Sequence, residues 1–279
     1  MATIAQLSDL HLVEDEYQER PLSTRARLSC LSLGRPLEPR ERRQRVARAL
    51  AEVRANGVDH LVITGDLTED GAPAQFEVLA EVLADSHIPP DRITLVPGNH
   101  DAYDAAENYA TALAGPLSPY APTSTILAPL VFRDVTLVPV STAFHQSPLR
   151  SAGAIAPADL EALQRIVNDR AFRGRPLVLV QHHPPGRHFV PLFQWIDGLL
   201  EFGALSAMTE EARHLHVVHG HTHRAVDRHV RQGESPRIYS ALAVVESENA
   251  LRLYEASPAG LTPLAADLAD GIGAVAVLA

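Results

Sequence analysis

The chain begins with short apolar runs that alternate with longer helical patterns. The runs at residues 3–7, 59–63 and 93–96 have the length and composition of buried strands. Between them the spacing of apolar residues predicts a helix over 40–55, and Pro73 opens another with Phe76, Leu79, Ala80 and Leu83 on one stripe. Strands that alternate with helices in this way indicate right-handed βαβ units and a largely parallel sheet.

Beyond Gly115 the pattern changes. A hairpin is predicted across Arg133-Asp134, which adds antiparallel strands and hence a second sheet. Pro157 opens a further helix, an apolar helix at 192–200 is expected in the core or as a cover over a site, and further strands are predicted at 176–180, 215–218, 237–245 and 250–255. No internal repeat or linker separates two domains. We therefore expect one α/β domain over 1–279, a four-layer αββα sandwich of two mixed β-sheets flanked by helices.

Polar residues of metal-binding types directly follow five of these strands. They are Asp9 and His11; Gly65 and Asp66; Gly98, Asn99, His100 and Asp101; His182 and His183; and Gly220, His221, Thr222 and His223. Taken alone, an Asp-x-His pair is most simply a turn-capping carboxylate beside a surface imidazole, and a His-x-His pair is often a solvated loop. Because open α/β sheets bind ligands beyond the carboxyl ends of their strands, five such motifs together predict one site.

The amino-acid composition excludes several classes of function and of catalytic group. A net charge of -10 argues against a general nucleic-acid binder, which needs a basic surface. The single cysteine, Cys30, forbids an intrachain disulfide and favours a cytoplasmic location; we also expect no signal peptide and no transmembrane segment. All 24 Lys+Arg residues are arginine, which excludes a Walker P-loop, a Schiff-base lysine and a lysine general base.

The five motifs supply carboxylates, imidazoles and one amide, but no thiolate. This mixed set of oxygen and nitrogen ligands suits manganese, iron or zinc better than magnesium or calcium. Two clustered metal ions, roughly 3.5 to 4 Å apart, need a shared carboxylate, and Asp66 is the natural bridge.

In order, the motifs match the pattern D-x-H, G-D, G-N-H-[DE], H, G-H-x-H, and the chain resembles the calcineurin-like metallophosphoesterase family. The resemblance implies that Asp9, His11, Asp66 and His223 hold one metal, and that Asp66, Asn99, His182 and His221 hold the second. It further implies that the unligated His100 contacts the phosphoryl group and that Asp101 orients its ring. His182 is preferred to His183 because, in the family, one residue separates the ligand from the Pro pair.

Within the family the likeness is to the bacterial class III cyclic-nucleotide phosphodiesterase and glycerophosphodiesterase branch, on the grounds of size, the His-His-Pro-Pro run and the lack of a regulatory extension. It implies a dinuclear-metal-dependent phosphodiesterase in which a metal-bound hydroxide attacks in line. A phosphomonoesterase or pyrophosphohydrolase on the same metals is the alternative, and a non-catalytic metal-binding scaffold is a third. The expected partner is a small phosphoester, either a cyclic nucleotide or a glycerophosphodiester-like molecule.

Four features leave alternatives open. The segment 14–48 carries nine arginines and is predicted to be an insertion, which is either a solvated excursion, a lid, an oligomer contact or a surface for anionic lipid. The alanine-rich segment 261–279 is a tail or a subunit contact in a possible homo-oligomer. Arg187 and His188 face either substrate or solvent, and His219 either supports the site or packs in the core.

Overall fold

In the computed structural model, which describes residues 1–264, two mixed β-sheets pack face to face with helices on their outer sides. The strands are β1 (Ala2–Leu7), β2 (His60–Thr64), β3 (Ile93–Val96), β4 (Leu130–Phe132), β5 (Val135–Pro139), β6 (Leu177–Val180), β7 (Leu215–His219), β8 (Val226–Arg228), β9 (Ile238–Ser240), β10 (Arg252–Ser257) and β11 (Gly260–Leu264). The helices are α1 (Leu22–Leu31), α2 (Pro39–Ala55), α3 (Pro73–Asp85), α4 (Asn108–Ala114), α5 (Ala121–Ser124), α6 (Pro157–Asn168), α7 (Pro191–Asp197) and α8 (Phe202–Glu211). Single 3-10 turns lie at Tyr17–Glu19, Pro90–Arg92, His100–Ala102, Ser118–Tyr120 and Arg170–Phe172.

The first sheet has the strand order β11-β10-β1-β2-β3, and the second β4-β5-β6-β7-β9-β8. Strands β1, β2 and β3 run parallel, as do β5, β6, β7 and β9, while the outer strands of each sheet add antiparallel pairs. The predicted fold class is confirmed. Its consequence for function is that two sets of parallel strands end along the same edge of the sandwich.

Three apolar clusters hold the layers together, and the alternation of side chains along each strand produces them. Ile4 and Val62 point between the sheets towards Val178 and Val218, whereas Leu61 and its neighbours on the opposite face pack under α2 and α3. On the far side, the other faces of β6 and β7 pack against α6 and α8. Each parallel strand is buried on both faces, which explains its near-continuous apolar sequence.

Several elements differ from the sequence prediction. Helix α7 is not part of the core, since Leu192, Phe193 and Trp195 are each more than half exposed. The strand expected over 237–245 ends at Ser240, because the residues after it leave the sheet and bond to the loop after β1: Val244 N donates to Ser8 O at 3.0 Å.

The structure also describes the two segments whose role the sequence left open, wholly for 14–48 and in part for 261–279. The arginine-rich insertion at 14–48 contains α1 and the first part of α2, and it contacts the edge of the candidate site, as described below. Of the C-terminal segment, residues 261–264 form the end of the edge strand β11, and 265–279 lie outside the described residues. Among residues 1–264, no helix combines the length and the apolar character that crossing a membrane requires.

Candidate metal centre

The five polar motifs lie together at the carboxyl ends of β1, β2, β3, β6 and β7. The loops that carry them are bonded to one another. Asp9 N donates to Gly65 O at 3.1 Å, and Gly220 N donates to His182 O at 3.0 Å. A contact between the His182 ring and Thr64 O, 2.8 Å from Nδ1, joins the two sheets. The sandwich therefore brings motifs that are up to 214 residues apart in sequence to one edge, as the strand pattern predicted.

Five of the predicted ligand residues have left-handed backbone conformations. The φ angles are 56° at Asp9, 50° at His11, 49° at Asp66, 68° at His221 and 52° at His223. Residues with a Cβ adopt this region uncommonly, and such strain persists where the surrounding structure holds it in place. Each of these residues follows a strand closely, so the turn aims its side chain across the sheet edge instead of along it.

Gly220 is the residue that allows the last turn to approach the first. A Cβ at this position would lie 1.9 Å from Ser8 Oγ and 2.8 Å from Asp9 Oδ2. Any side chain would therefore push the His221 and His223 turn away from Asp9.

One group of ligand atoms comprises Asp9, His11 and His223, which lie within 4.8 Å of one another. His223 Nε2 is 3.3 Å from Asp9 Oδ1. Asp9 Oδ1 and His11 Nε2 are buried without a hydrogen-bond partner among residues 1–264. Leaving such atoms unpaired is costly, so a cation held between them fits the observed donors.

A second group surrounds His182. Its Nε2 lies 3.3 Å from Asp66 Oδ2 and 3.1 Å from Asn99 Oδ1. Asp66 Oδ2 is also 3.7 Å from His11 Nε2, so this carboxylate lies between the two groups. His221 belongs to the second group as well, within 4.8 Å of His182 and His183. The residues present thus fit two metal ions that share Asp66.

Of the histidine pair, His182 is the residue whose ring reaches Asp66. The His183 nitrogens are engaged by the protein, with Nδ1 2.7 Å from Thr142 Oγ1 and Nε2 3.0 Å from Ser151 O. Burial, together with the charges of His221 and His182, holds the pKa of His183 well below its usual range. His183 is therefore a neutral, hydrogen-bonded neighbour of the second group.

His100 and Asp101 are both at the site, but they do not contact each other as the resemblance implied. His100 Nδ1 donates to Glu69 O at 2.7 Å, and its Nε2 faces Asp66 Oδ2 at 4.0 Å. The Asp101 carboxylate accepts from the backbone N–H groups of Leu67, Thr68 and Gly98, and from the Thr68 hydroxyl. Asp101 thus holds the loop that carries Asp66, whereas a backbone carbonyl orients His100.

The carboxylates at the centre are ionised. Burial raises the pKa of Asp9, but the close approach of the His223 ring and the charges of His182 and His223 lower it to about 2. Burial opposes ionisation of Asp66 as well, yet His182, His100 and His11 hold its pKa well below the usual range. His182 itself loses basicity through burial, but Asp66 raises its pKa to about 9. Ionised carboxylates suit a cation, and a ligating imidazole must be neutral, so binding of a metal ion would displace the proton from His182.

Sequence reasoning missed three acidic residues next to the ligands. Asp197, at the end of α7, lies 3.0 Å from His221 Nε2, which leaves Nδ1 of that ring for a metal. Glu69 is fully buried 3.3 Å from His11 Nδ1, and Asp70 is fully buried beside it. Glu69 and Asp70 come shortly after Asp66 in the sequence, and this position could have identified them as neighbours of the site. Asp197 had no such signal, because an acid at a helix end is ordinary.

Arginines of the insertion pair with these buried acids. Arg42 Nη1 donates to Glu69 Oε2 and to His11 O, and Arg35 lies 3.3 Å from Glu69 Oε1. Arg20 and Arg27 bind Asp70 at 2.9 and 3.0 Å. The insertion is thus attached to the loop that follows Asp66, so a purely solvated excursion is ruled out.

The sequence of the chain is similar to those of known proteins. The model of the calcineurin-like phosphoesterase family matches residues 2–225. A probable cyclic nucleotide phosphodiesterase from Rhodopseudomonas palustris is 28% identical over 195 residues, which are 68% of this chain. The match spans 65% of that relative, slightly less than two thirds of its length.

Two solved structures share the fold. A dimetal phosphatase from Danio rerio aligns with a TM-score of 0.65 at 12% identity, covering 94% of this chain and 98% of its own. A protein of Thermus thermophilus aligns with a TM-score of 0.53 at 13% identity, covering 88% of this chain and 91% of its own. At these identities the likeness concerns the fold alone.

Proposed function

The chain belongs to the calcineurin-like phosphoesterase family, and from that premise we propose that this metal-dependent phosphoester hydrolase acts on phosphodiesters. The observation that carries the dinuclear, metal-dependent part of this proposal is the position of Asp66. Its Oδ2 lies between His11 Nε2 and His182 Nε2, at 3.7 and 3.3 Å, as a carboxylate that bridges two cations must.

Two sets of residues would hold the metals. Asp9, His11, Asp66 and His223 form the first set, and Asp66, Asn99, His182 and His221 the second. When bound, two such cations supply Lewis acidity and a water of lowered pKa. The mixed oxygen and nitrogen ligands favour manganese, iron or zinc.

We assign His100 as the residue that donates a proton. Hydrolysis adds the oxygen of water to phosphorus while the bond from phosphorus to the ester oxygen breaks, and that leaving oxygen must gain a proton. The hydrogen bond from Nδ1 to Glu69 O fixes the ring so that Nε2 faces Asp66 Oδ2 at the metal centre. A protonated Nε2 therefore donates to a phosphoryl oxygen or to the leaving oxygen.

The preference for diesters is supported by the relative from R. palustris, whose name describes a probable cyclic nucleotide phosphodiesterase. We propose a small phosphodiester as substrate and the cytoplasm as location, the latter because one cysteine suits a reducing compartment.

The test compares bis(p-nitrophenyl) phosphate with p-nitrophenyl phosphate on protein whose metal content is measured in the same sample. We expect about two metal ions per chain and faster turnover of the diester. Faster turnover of the monoester would instead establish the alternative, a phosphomonoesterase or pyrophosphohydrolase on the same metals. Absence of both metal and hydrolysis would indicate a non-catalytic scaffold.

A variant of the bridge tests the dinuclear assignment independently of the substrate. Asp66→Asn keeps the size of the side chain, and asparagine tolerates the left-handed backbone, but the charge is lost. We expect the metal content to fall to one ion or fewer per chain. Asp85→Asn, at the exposed end of α3, is the control; two metals retained in the Asp66 variant would show that another residue is the bridge.

A further inference from the structure

A cavity of about 580 Å³ opens beside the second ligand group. His221 and Thr222 of the metal-binding turn form part of its wall, and Asp197 is on the same side. The remaining walls come from the loop after His182-His183 and from β8, with Arg187, Arg224 and Arg228 among the lining residues. A volume of this size accommodates a group as large as a nucleotide.

The cavity is positively charged, although the chain as a whole carries a net charge of -10. None of its three arginines forms an ion pair with an acid among residues 1–264. The one lining acid, Asp197, is already bonded to His221 Nε2 and to Ser151 Oγ. Three guanidinium groups therefore face one carboxylate that has other partners.

Strand geometry explains why the acid next to Arg228 does not neutralise it. Side chains alternate along β8, so Val226 and Arg228 face the cavity and Asp227 points to the other side. There, Asp227 Oδ1 accepts from Arg252 Nη2 at 2.7 Å. The Arg228 guanidinium instead lies over Gly186, where an added Cβ would be 2.7 Å from Nη1. Arg228 therefore lies close to the loop that follows His182.

We propose that this cavity, defined by Arg187, Arg224 and Arg228, binds a terminal phosphate monoester on the substrate, separate from the phosphodiester that is hydrolysed. The inference rests on the proposed function and specifies its substrate class: a small phosphodiester that also carries a phosphate monoester, such as a 5′-phosphorylated dinucleotide.

The chemistry favours a phosphate monoester over a carboxylate or a second diester. A monoester carries nearly two negative charges and three acceptor oxygens near neutral pH, whereas a diester or a carboxylate carries one charge. Guanidinium groups donate in a planar fork that matches phosphate oxygens, so three of them suit this group best. Since His221 belongs to both the metal-binding turn and the cavity wall, the two phosphorus atoms of such a substrate would occupy adjoining sites.

The experiment uses two substrates with the same scissile bond: the dinucleotide ApA and its 5′-phosphorylated form pApA. On the metal-loaded enzyme we expect kcat/KM to be about tenfold to a hundredfold higher for pApA, the range expected for charge-assisted hydrogen bonds. Calorimetric binding of both compounds, with EDTA present to prevent turnover, should show the same order of affinity. In Arg224→Ala/Arg228→Ala the preference should fall towards one in both measurements.

Arg165→Ala/Arg170→Ala is the matched control, because it also removes two positive charges, from exposed positions outside the cavity. It should leave the ratio between pApA and ApA as it is in the natural chain. A ratio near one in the unmodified enzyme, or a preference that survives the double substitution, would overturn the proposal. Calorimetry also separates the two proposals: selective binding of pApA without hydrolysis of bis(p-nitrophenyl) phosphate would sustain the cavity and refute the proposed function.

Discussion

At the scale of single residues, the candidate centre depends on side chains that leave a strand through a left-handed turn. Asp9, His11, Asp66, His221 and His223 share this conformation, and each then points into the space between the sheets' carboxyl ends. Their chemical types were evident in the sequence. Which nitrogen of each ring faces that space was not, because it depends on the partner of the other nitrogen.

His100 provides the clearest test at this scale. Replacing it by glutamine removes the proton donor, while the ligands Asp66 and Asn99 are untouched. We expect kcat for bis(p-nitrophenyl) phosphate to fall on the order of 10²- to 10⁴-fold, with two metals still bound. Steady-state kinetics and metal analysis on one preparation measure both quantities. Loss of metal in His100→Gln would instead make His100 a ligand, and unchanged kcat would remove it from the mechanism.

At the scale of elements, the insertion and helix α2 support the site from outside. Arg42 is 2% exposed and binds both Glu69 and the carbonyl of His11. Glu69 in turn lies against the His11 ring. The pairing of Arg42 and Glu69 therefore connects α2 to a ligand of the first group.

Removing the arginine from this pair should destabilise the fold. Arg42→Met leaves Arg35 as the one arginine paired with the buried Glu69 among residues 1–264, and breaking a buried pair costs about 3 to 5 kcal/mol. Arg45→Met, on the same helix, breaks only an exposed pair with Glu41 and should cost less than about 1 kcal/mol. Urea unfolding of both variants measures the difference. Equal losses would mean that the buried pair contributes no more than a surface pair does.

A double substitution distinguishes two causes of the stability lost in Arg42→Met, which are the unpaired charge of Glu69 and the lost packing of the arginine side chain. In Arg42→Met/Glu69→Gln no carboxylate remains unpaired, so part of the stability lost in Arg42→Met should return. If the double variant is no more stable than Arg42→Met, the effect of Arg42 arises from packing and from its bond to His11 O.

At the scale of the whole molecule, two buried histidines away from the metal centre affect how stability depends on pH. His60 lies on β2 and bonds to Thr94, and burial with the charge of Arg92 lowers its pKa to about 4. His216, on β7, has a pKa lowered to about 3 by burial and by the charges of Arg237 and His214. Both rings are neutral in the folded protein at pH values where the unfolded chain protonates them.

The fold should consequently lose stability as the pH falls. Both folded pKa values lie below the ordinary value of 6.5, so the stabilisation is complete above about pH 6.5 and is lost towards pH 4 and below. Each extra proton bound by the unfolded chain adds a slope of about 1.4 kcal/mol per pH unit. His60→Gln/His216→Gln should flatten the profile of unfolding free energy between about pH 6 and pH 4, with the exposed His229→Gln as control. A profile as steep as that of the unmodified protein would contradict the assignment.

The class of fold and the identity of the polar motifs could be predicted from the sequence alone. Short apolar strands, helical spacing and polar residues after each strand are local patterns, and parallel strands necessarily place their carboxyl ends at one edge. The sequence left α7 either in the core or over the site, because a short apolar helix has the same pattern in both places, and the exposure of its apolar side chains excludes the core. Residues 241–245 were wrongly predicted as a strand for a related reason: their apolar character suits a strand, but Val244 bonds to the loop after β1.

The contacts that connect distant segments could be known only from the folded molecule. Such contacts include Glu69 with Arg42 and Asp197 with His221, whose members are 24 or more residues apart along the chain. They also include the three arginines of the cavity, which come from two separate segments. No local periodicity relates these residues. Such contacts depend on how the layers pack and on which charges packing removes from water. The ligand types were therefore readable along the chain, whereas their support and the cavity beside them exist only once the two sheets have come together.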